Sequence, residues 1–496
     1  MRQKYILAID QGTTGSRAII YDKNGRNAAS SYHEFPQRFP RPGWVEHSPA
    51  DLWGSVARTL KEVLSRVSPG DIAAIGITNQ RETTVIWDKM TGEPVYNAIV
   101  WQCRRTADRC DQLKSVKGEV EFFKKRTGLP IDAYFSATKV EWILKNVPGA
   151  LSRAKKGKLL FGTTDAWILW KLTGGRVHAT DYTNASRTML FNIERLKWDD
   201  DILKRFRIPG GLLPEVKRSS GHFGDTVRIG GLPSGIPISG VAGDQQAALF
   251  GQACFEPGTV KNTYGTGAFV LLNTGKTRPM SKYGLITTVA CGASGEPVYA
   301  LEGAVFIAGA AIQWLRDGLR ILSKAEESAS LAKSLQDNGG IYFVPALVGL
   351  GAPYWDQDAR GSIFGITRGT RSSHLVRAAL EAIAYQTRDV LEAMEKDSGI
   401  KIRSLKVDGG AAGNDFLCQF QSDISRINVA RPKIIETTSL GAAYLAGLAV
   451  GYWKSADEIG RCWTQGKVFR PRMPKPLAAK YYSGWLAAVK RTRSHG

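Results

Sequence analysis

No stretch of this chain is long and apolar enough to cross a bilayer. The longest near-apolar run, Leu440 to Trp453, is rich in Gly and Ala and falls short of the roughly 20 residues a spanning helix needs. It reads instead as a tightly packed helix, and an integral membrane protein is not expected. The early apolar run, Tyr5 to Ile9, is ended at once by Asp10, too short for a secretory h-region. With no export signal visible, a cytoplasmic protein is expected. Cysteine is also sparse: the six residues at 103, 110, 254, 291, 418 and 462 show neither paired CxxC spacing nor the density of a disulfide scaffold, which fits reduced thiols. Acidic residues are outnumbered, 45 Asp and Glu against 67 Lys and Arg, for a formal net charge of +22. A basic block interleaved with aromatics is nevertheless missing. The cations are scattered, and the densest run, Arg153 to Lys158, reads as a solvated helix end, so specific nucleic-acid binding is not expected. A basic field does favour capture of anionic substrates such as nucleotides.

What is present is an ordinary globular composition, 43% hydrophobic and 23% charged, spread over 496 residues. That length is too great for one compact core, so two domains are expected. The chain opens with an apolar strand, Tyr5 to Ile9, a polar turn, and a second strand, Ala18 to Tyr21, that runs into Lys23-Asn24-Gly25. This is a hairpin pattern. Asp71 to Thr78 and Thr83 to Trp87 predict two more strands around a polar corner, Asn79-Gln80-Arg81-Glu82, and polar residues at a strand end are placed to line a site. A mainly helical stretch is expected to about residue 220, then a strand over Gly235 to Gly243 and a helix over Gln245 to Gln252. Pro257-Gly258 interrupts the pattern. After it, Val260 to Thr263 and Phe269 to Leu272 form a second strand pair around Tyr264-Gly265-Thr266-Gly267. Each half thus begins with two strands joined by a Gly/Thr turn, which suggests two related α/β halves meeting near 250–258; chance recurrence among 53 glycines is the alternative.

The turn Asp10-Gln11-Gly12-Thr13-Thr14-Gly15-Ser16-Arg17 combines what phosphate handling requires. Its glycines let backbone N–H groups approach phosphate oxygens, its hydroxyls and Arg17 add donors, and Asp10 at the strand end suits a magnesium ion held partly through water. A decorated β-turn with no ligand is the competing reading, and the matching turn at 264–267 counts against it, since a triphosphate gripped between two halves needs a loop from each. A third candidate is Leu405 to Asn414, a strand running into glycines and then a helix near Phe416, the usual form of a nucleotide seat. Neither a dinucleotide fingerprint nor a P-loop occurs; Gly275-Lys276-Thr277 has the right end, but Val270 stands where the first glycine must be. In Gly243-Asp244-Gln245-Gln246, Asp244 is either a helix N-cap or a group that accepts an alcohol proton during phosphoryl transfer.

Taken together these residues resemble the FGGY family of carbohydrate kinases, over nearly the whole chain and most closely its glycerol-phosphorylating members. Two signature patterns carry the resemblance. The first is Tyr134-Phe135-Ser136-Ala137-Thr138-Lys139-Val140-Glu141-Trp142. The second runs from Gly361 to Ile366 and, after a seven-residue spacer, from His374 to Glu381. The resemblance implies an α/β fold of two actin-like or hexokinase-like, that is ribonuclease H-like, ATPase domains flanking a central cleft. Residues 1–252 would hold the acceptor pocket and residues 253–496 the nucleotide. By resemblance Thr13, Thr14, Gly15 and Arg17 contact phosphates, Thr266 meets them from the other half, Gly309, Gln313, Gly410 and Asn414 hold the nucleoside, and Asp10 and Asp244 serve a magnesium ion. The pocket maps onto Arg81, Glu82, Trp101, Tyr134, Asp244, Gln245 and Phe269, with Asp244 as base. Without the resemblance Trp101 and Phe269 read as core aromatics and Arg81-Glu82 as a surface ion pair.

The implied substrates are ATP and glycerol, the implied assembly a homodimer or homotetramer. A kinase of a pentulose and a catalytically silent ATP-binding sensor are the rival readings. The sequence departs from the family in four places. Gly15 stands where bacterial members usually have serine, and Gly230 to Ile236 lacks the cations with which some members bind fructose bisphosphate. His222 lies outside the context of the histidine that others phosphorylate, and Pro471 to Ser483 has no acidic residue for docking a regulatory sugar-transport protein.

Overall fold

The computed structural model describes residues 4–494. Two mixed sheets carry the fold. In the first, β1 (Tyr5–Gln11), β2 (Gly15–Tyr21) and β3 (Asn27–Glu34) form an antiparallel meander, and β4 (Ile72–Asn79) and β5 (Ile238–Gly243) continue in parallel beside β1, giving the order β5-β4-β1-β2-β3. The second contains β6 (Val260–Tyr264), β7 (Ala268–Gly275), β8 (Ile286–Cys291), β9 (Pro297–Val305), β10 (Ser404–Asp408), β11 (Asn428–Pro432) and β12 (Gln465–Phe469), in the order β8-β9-β7-β6-β10-β11-β12. Within it β6, β7 and β9 repeat the antiparallel meander, and β10 and β11 repeat the parallel pair. The echo of the two Gly/Thr turns therefore extends to five strands in each sheet.

The inner strands of the first sheet are apolar on both faces because both are covered, whereas the edge strand β3 is polar and largely exposed. Leu7 and Ile9 face helix α1 (Pro49–Val63), which buries Leu52, Val56, Leu60 and Val63 and is capped by Ser48, whose hydroxyl accepts from the Asp51 N–H at 3.2 Å. Ile6 and Ala8 join the opposite cluster with Leu440, Tyr444 and Leu445. That second cover comes from the far end of the chain. Helix α2 (Asp244–Gly251) follows β5 directly, and helix α3 (Thr437–Ala449) lies across both it and the sheet. The approach is backbone to backbone: a Cβ on Gly441 would stand 1.8 Å from the Ala247 carbonyl oxygen, and one on Gly76 would stand 2.2 Å from that of Ala442. The Gly/Ala richness of Leu440 to Trp453 is what permits this crossing.

The region from 90 to 220 differs from the expected helical stretch. Helices at Ala107–Ser115, Glu119–Thr127, Ser136–Asn146, Ala150–Lys155 and Thr164–Leu172 are interleaved with strands of two to four residues, such as Leu159–Gly162. The Val85–Asp88 strand pairs with Leu159–Gly162 rather than joining the main sheet. Strands this short contain too few residues for a period of two to be visible. Among the described residues no helix is long and apolar enough to cross a membrane.

Candidate active site

The first turn is built by β1 and β2, whose register sets Asp10 opposite Arg17. Gly12 N–H closes it on the Gly15 carbonyl at 2.9 Å. Side chains hold it from outside. Gln37 donates to the Thr13 carbonyl at 3.0 Å and Gln80 to that of Gly12 at 3.1 Å, while the Trp101 indole N–H donates to the Thr13 hydroxyl at 3.0 Å. Thr13, Thr14, Arg17 and Trp101 are thereby brought to one place. Gly15 is closed off by Tyr32, whose hydroxyl lies 2.6 Å from where a Cβ would stand. Arg17 sits 5.4 Å from the Tyr32 ring centre and pairs with Glu436, just ahead of α3. Burial pushes the Asp10 carboxyl up to about 7; Arg17 pulls it down, and the nearby charges of Asp244 and Glu436 push it further up.

Asp244 is the first residue of α2, and the N-cap position belongs to Gly243. Its carboxylate accepts from the Gln245 N–H at 2.7 Å and lies 3.1 Å from Arg81 Nε, with about a third of the side chain exposed. Arg81 and Glu82, at the end of β4, are not a surface pair. Both are buried, and their closest approach to each other is 4.0 Å. Arg81 forks onto Glu302 of β9 through Nη1 at 2.5 Å and Nη2 at 3.0 Å, and lies over the Phe269 ring at 5.9 Å. Glu82 instead accepts from Arg187 Nε at 2.6 Å. Its backbone φ of 60° lies in the left-handed region, strain of the kind concentrated at functional sites. Trp101 and Tyr134 meet edge to face with ring centres 5.6 Å apart. Gln245 is held from the second sheet by Lys261, which also donates to Thr263 at 2.9 Å. Burial pushes the Lys261 ammonium down to about 8 against the pull of Asp408, Asp244 and Glu302.

Three segments of the second half converge on the turn at 264–267. Thr266 is exposed, and its carbonyl accepts from the Ala308 and Ala310 N–H groups at 2.9 and 3.0 Å. A Cβ on Gly309 would stand 2.6 Å from the Gly265 carbonyl oxygen, and one on Gly409 would stand 2.5 Å from that of Tyr264. Gly410 has open space around it and Gln313 is exposed. Asn414 is partly engaged: its carbonyl oxygen caps helix α4 (Asp415–Ser425) by accepting from Leu417 at 3.1 Å, and its amide reaches the Ser328 hydroxyl at 3.2 Å. The sequence reading did not include Arg187, Lys261, Glu302 or Glu436. For Arg187, Lys261 and Glu302 a buried charge is the signal, and it is visible only once the burial is known; Glu436 is exposed and carries no such mark. No cluster of three or more His, Cys, Asp or Glu side chains forms a metal cage among the described residues.

A partly exposed carboxylate beside buried charged side chains, with a glycine-bearing turn from each of two sheets of one topology, is suited to moving a phosphoryl group onto an alcohol. Comparison with known proteins agrees. Residues 5–251 match the N-terminal domain of the FGGY family of carbohydrate kinases and residues 260–450 match its C-terminal domain. The chain is 59% identical to the glycerol kinase of Fusobacterium nucleatum, and 60% identical to glycerol kinase 2 of Thermotoga maritima, with 99% of each chain covered in both cases. The crystal structure of Plasmodium falciparum glycerol kinase with ADP superposes with a TM-score of 0.92 at 38% identity, covering 99% of this chain and 98% of that one. By sequence and by fold, this chain belongs to the FGGY family of carbohydrate kinases.

Proposed function

We propose that this protein transfers the γ-phosphoryl group of ATP to a terminal hydroxyl of glycerol, giving sn-glycerol 3-phosphate, with Asp244 as the general base. The observation that carries the reading is the placement of Arg81. One guanidinium holds the Asp244 carboxylate at 3.1 Å and lies over Phe269 at 5.9 Å, so base and apolar wall are fixed together. Trp101, Tyr134 and Phe269 would cover the carbon chain, while Arg81, Glu82 and Gln245 would meet hydroxyls; a missing partner in such a dry site is costly. Asp244 is oriented by its bonds to Arg81 and the Gln245 N–H to accept the proton of the attacking hydroxyl. Arg17, at the first turn, would turn from Glu436 toward phosphate oxygens, where alignment and charge neutralisation govern the rate. Asp10, with Asp244 nearby, would hold a magnesium ion largely through water. Burial raises Asp10, and the nearby charges of Asp244 and Glu436 raise it further; a carboxylate so placed fits a divalent cation, which when bound neutralises phosphate charge.

The test is coupled measurement of ATP consumption and phosphorylated product with glycerol, dihydroxyacetone, xylulose and ribulose as separate acceptors, with and without magnesium. Magnesium-dependent, selective turnover of glycerol is expected. A pentulose as preferred acceptor would overturn the pocket assignment, and ATP binding without transfer to any acceptor would favour the sensor reading. Asp244→Asn is expected to lower kcat by about 10²- to 10⁴-fold, and near-parent turnover would remove Asp244 from the role of base.

A further inference from the structure

We propose that Glu302 is a positioning residue for the acceptor pocket: from the second sheet it sets, through Arg81 and Arg187, where Asp244 and Glu82 stand. The inference rests on the acceptor reading above. Asp244, Arg81, Glu302, Arg187 and Glu82 form a line of alternating charge. Its links are 3.1 Å from Asp244 to Arg81, 2.5 and 3.0 Å from Arg81 to Glu302, 3.1 Å from Glu302 to Arg187 and 2.6 Å from Arg187 to Glu82. Both ends are acceptor-pocket residues and belong to the first half. The centre alone comes from the second.

The geometry assigns direction to this line. Glu302 takes both Nη atoms of Arg81, which fixes the guanidinium plane and leaves the Nε edge 3.1 Å from the Asp244 carboxylate as an ion-pair contact. A planar fork cannot turn toward another partner without breaking two bonds. Burial alone would raise the Glu302 carboxyl, yet Arg187 and Arg81 together hold it down at about 2, so it remains an anion. The same sheet holds a second pocket residue. Lys261 and Glu302 lie in one transverse row of the second sheet, each opposite Leu271, and Lys261 fixes Gln245 while Glu302 fixes Arg81. The acceptor site is therefore built on one half and aimed by the other.

A purely structural role explains this arrangement poorly. A buried ion pair adds little stability over apolar residues of the same volume, and Arg187 keeps both Nη1 and Nη2 buried with no hydrogen-bond partner, Nη2 meeting Glu302 at 3.1 Å through charge alone and the guanidinium lying 5.6 Å from the Tyr134 ring centre. Polar groups left unsatisfied in this way are retained where geometry at a site requires them.

The experiment compares the full-length parent with Glu302→Gln and Arg187→Lys. Acceptor KM, ATP KM and kcat are measured at saturating magnesium, together with direct titration of ADP and thermal melting. Turnover of glycerol by the parent tests the acceptor reading; only the ratio of variant to parent tests Glu302. The expected result for Glu302→Gln is a loss of roughly 30-fold or more in kcat/KM for the acceptor, the scale for removing one partner of a buried charge pair, with ADP affinity within about twofold of parent. Acceptor constants within about twofold of parent, or acceptor and ADP constants weakening in parallel with a fall in melting temperature, would overturn the proposal. Should Glu302→Gln fail to fold, Arg187→Lys decides by the same split between acceptor and ADP; failure of both to fold assigns the network to the scaffold.

Discussion

The two Gly/Thr turns occupy equivalent places in sheets of equivalent topology, yet only the first leans on side chains as well as backbone. Each closes on itself with a backbone hydrogen bond of 2.9 Å, Gly12 to Gly15 in the first and Gly265 to Gly267 in the second. Around the first, side chains add to two main-chain bonds, from Gln80 N–H to the Gln11 carbonyl at 2.7 Å and from Phe35 N–H to that of Thr14 at 3.3 Å: Gln37, Gln80 and Trp101 bond the turn, and His47 joins both glutamines, its Nε2–H donating to Gln37 at 2.7 Å and its Nδ1 facing the Gln80 amide at 3.4 Å. Around the second, the supports are main chain, with carbonyls of Val305, Gly265 and Tyr264 against Gly267, Gly309 and Gly409. A turn supported by side chains can give way and can titrate. One supported by backbone does neither.

The largest effect should follow from adding one methyl group to the rigid turn. In Gly267→Ala the new Cβ would stand 2.5 Å from the Val305 carbonyl oxygen and 3.0 Å from that of Phe306, and strand β9 cannot retreat without breaking its ladder. Overpacking of this kind costs about 1–3 kcal/mol, so ATP KM should rise roughly 5- to 100-fold with acceptor KM much less affected. Steady-state kinetics with each substrate varied in turn checks this. Unchanged ATP KM would show that the second turn does not bear on the nucleotide.

Acid should distinguish the turns next. Burial pushes His47 down to about 4 from the ordinary 6.5, so between these values the unfolded chain binds a proton that the folded one refuses. A depressed pKa means that stability is fully present above 6.5 and is lost as pH falls toward 4. Between pH 7 and pH 5 the loss from this one side chain is about 1–2 kcal/mol. Denaturant unfolding at the two pH values should show that much less acid sensitivity in His47→Gln than in the parent, and nucleotide affinity should become less acid-sensitive with it. The described contacts of the second turn contain no group that titrates in this range. Equal acid sensitivity in parent and variant would break the comparison.

Much of this was legible in the residues themselves, for reasons that also define the limit. The first hairpin and the turn at 264–267 were readable because short apolar runs stopped abruptly at Gly, Thr and Asp. Asp244 was readable as a strand-end carboxylate, but only its contact with Arg81 bears on the choice between cap and base. Without the family resemblance, which places them in the acceptor pocket, Arg81-Glu82 read as a surface pair because adjacent opposite charges in a polar corner usually are one, and nothing local to them announces two further charges 105 and 221 residues away. Glu302 was illegible for the same reason. In Tyr299-Ala300-Leu301-Glu302-Gly303 it looks like the solvent-facing position of an alternating strand, and only the packing of β9 against the first half shows that its face is buried.

The smallest effect sharpens the comparison most. Gly15→Ser crowds the first turn as severely as Gly267→Ala crowds the second, by distance alone: the Cβ would stand 2.6 Å from the Tyr32 hydroxyl and 2.7 Å from its ring. The obstacle, however, is a side chain that is 44% exposed and tied only by a 3.5 Å contact to the Thr14 hydroxyl and by the Arg17 guanidinium over its ring. It can swing into solvent, so ATP KM should change by no more than about threefold, the range of a surface substitution. Tyr32→Ala should erase even that difference, which a double-mutant cycle would read directly. The cycle also bears on the hydroxyl that family members supply at this position. The Tyr32 phenol already lies beside the space a serine would enter, so Gly15→Ser exchanges one hydroxyl for another, and a large loss in it would mean that the phenol, not the turn, is what the nucleotide meets.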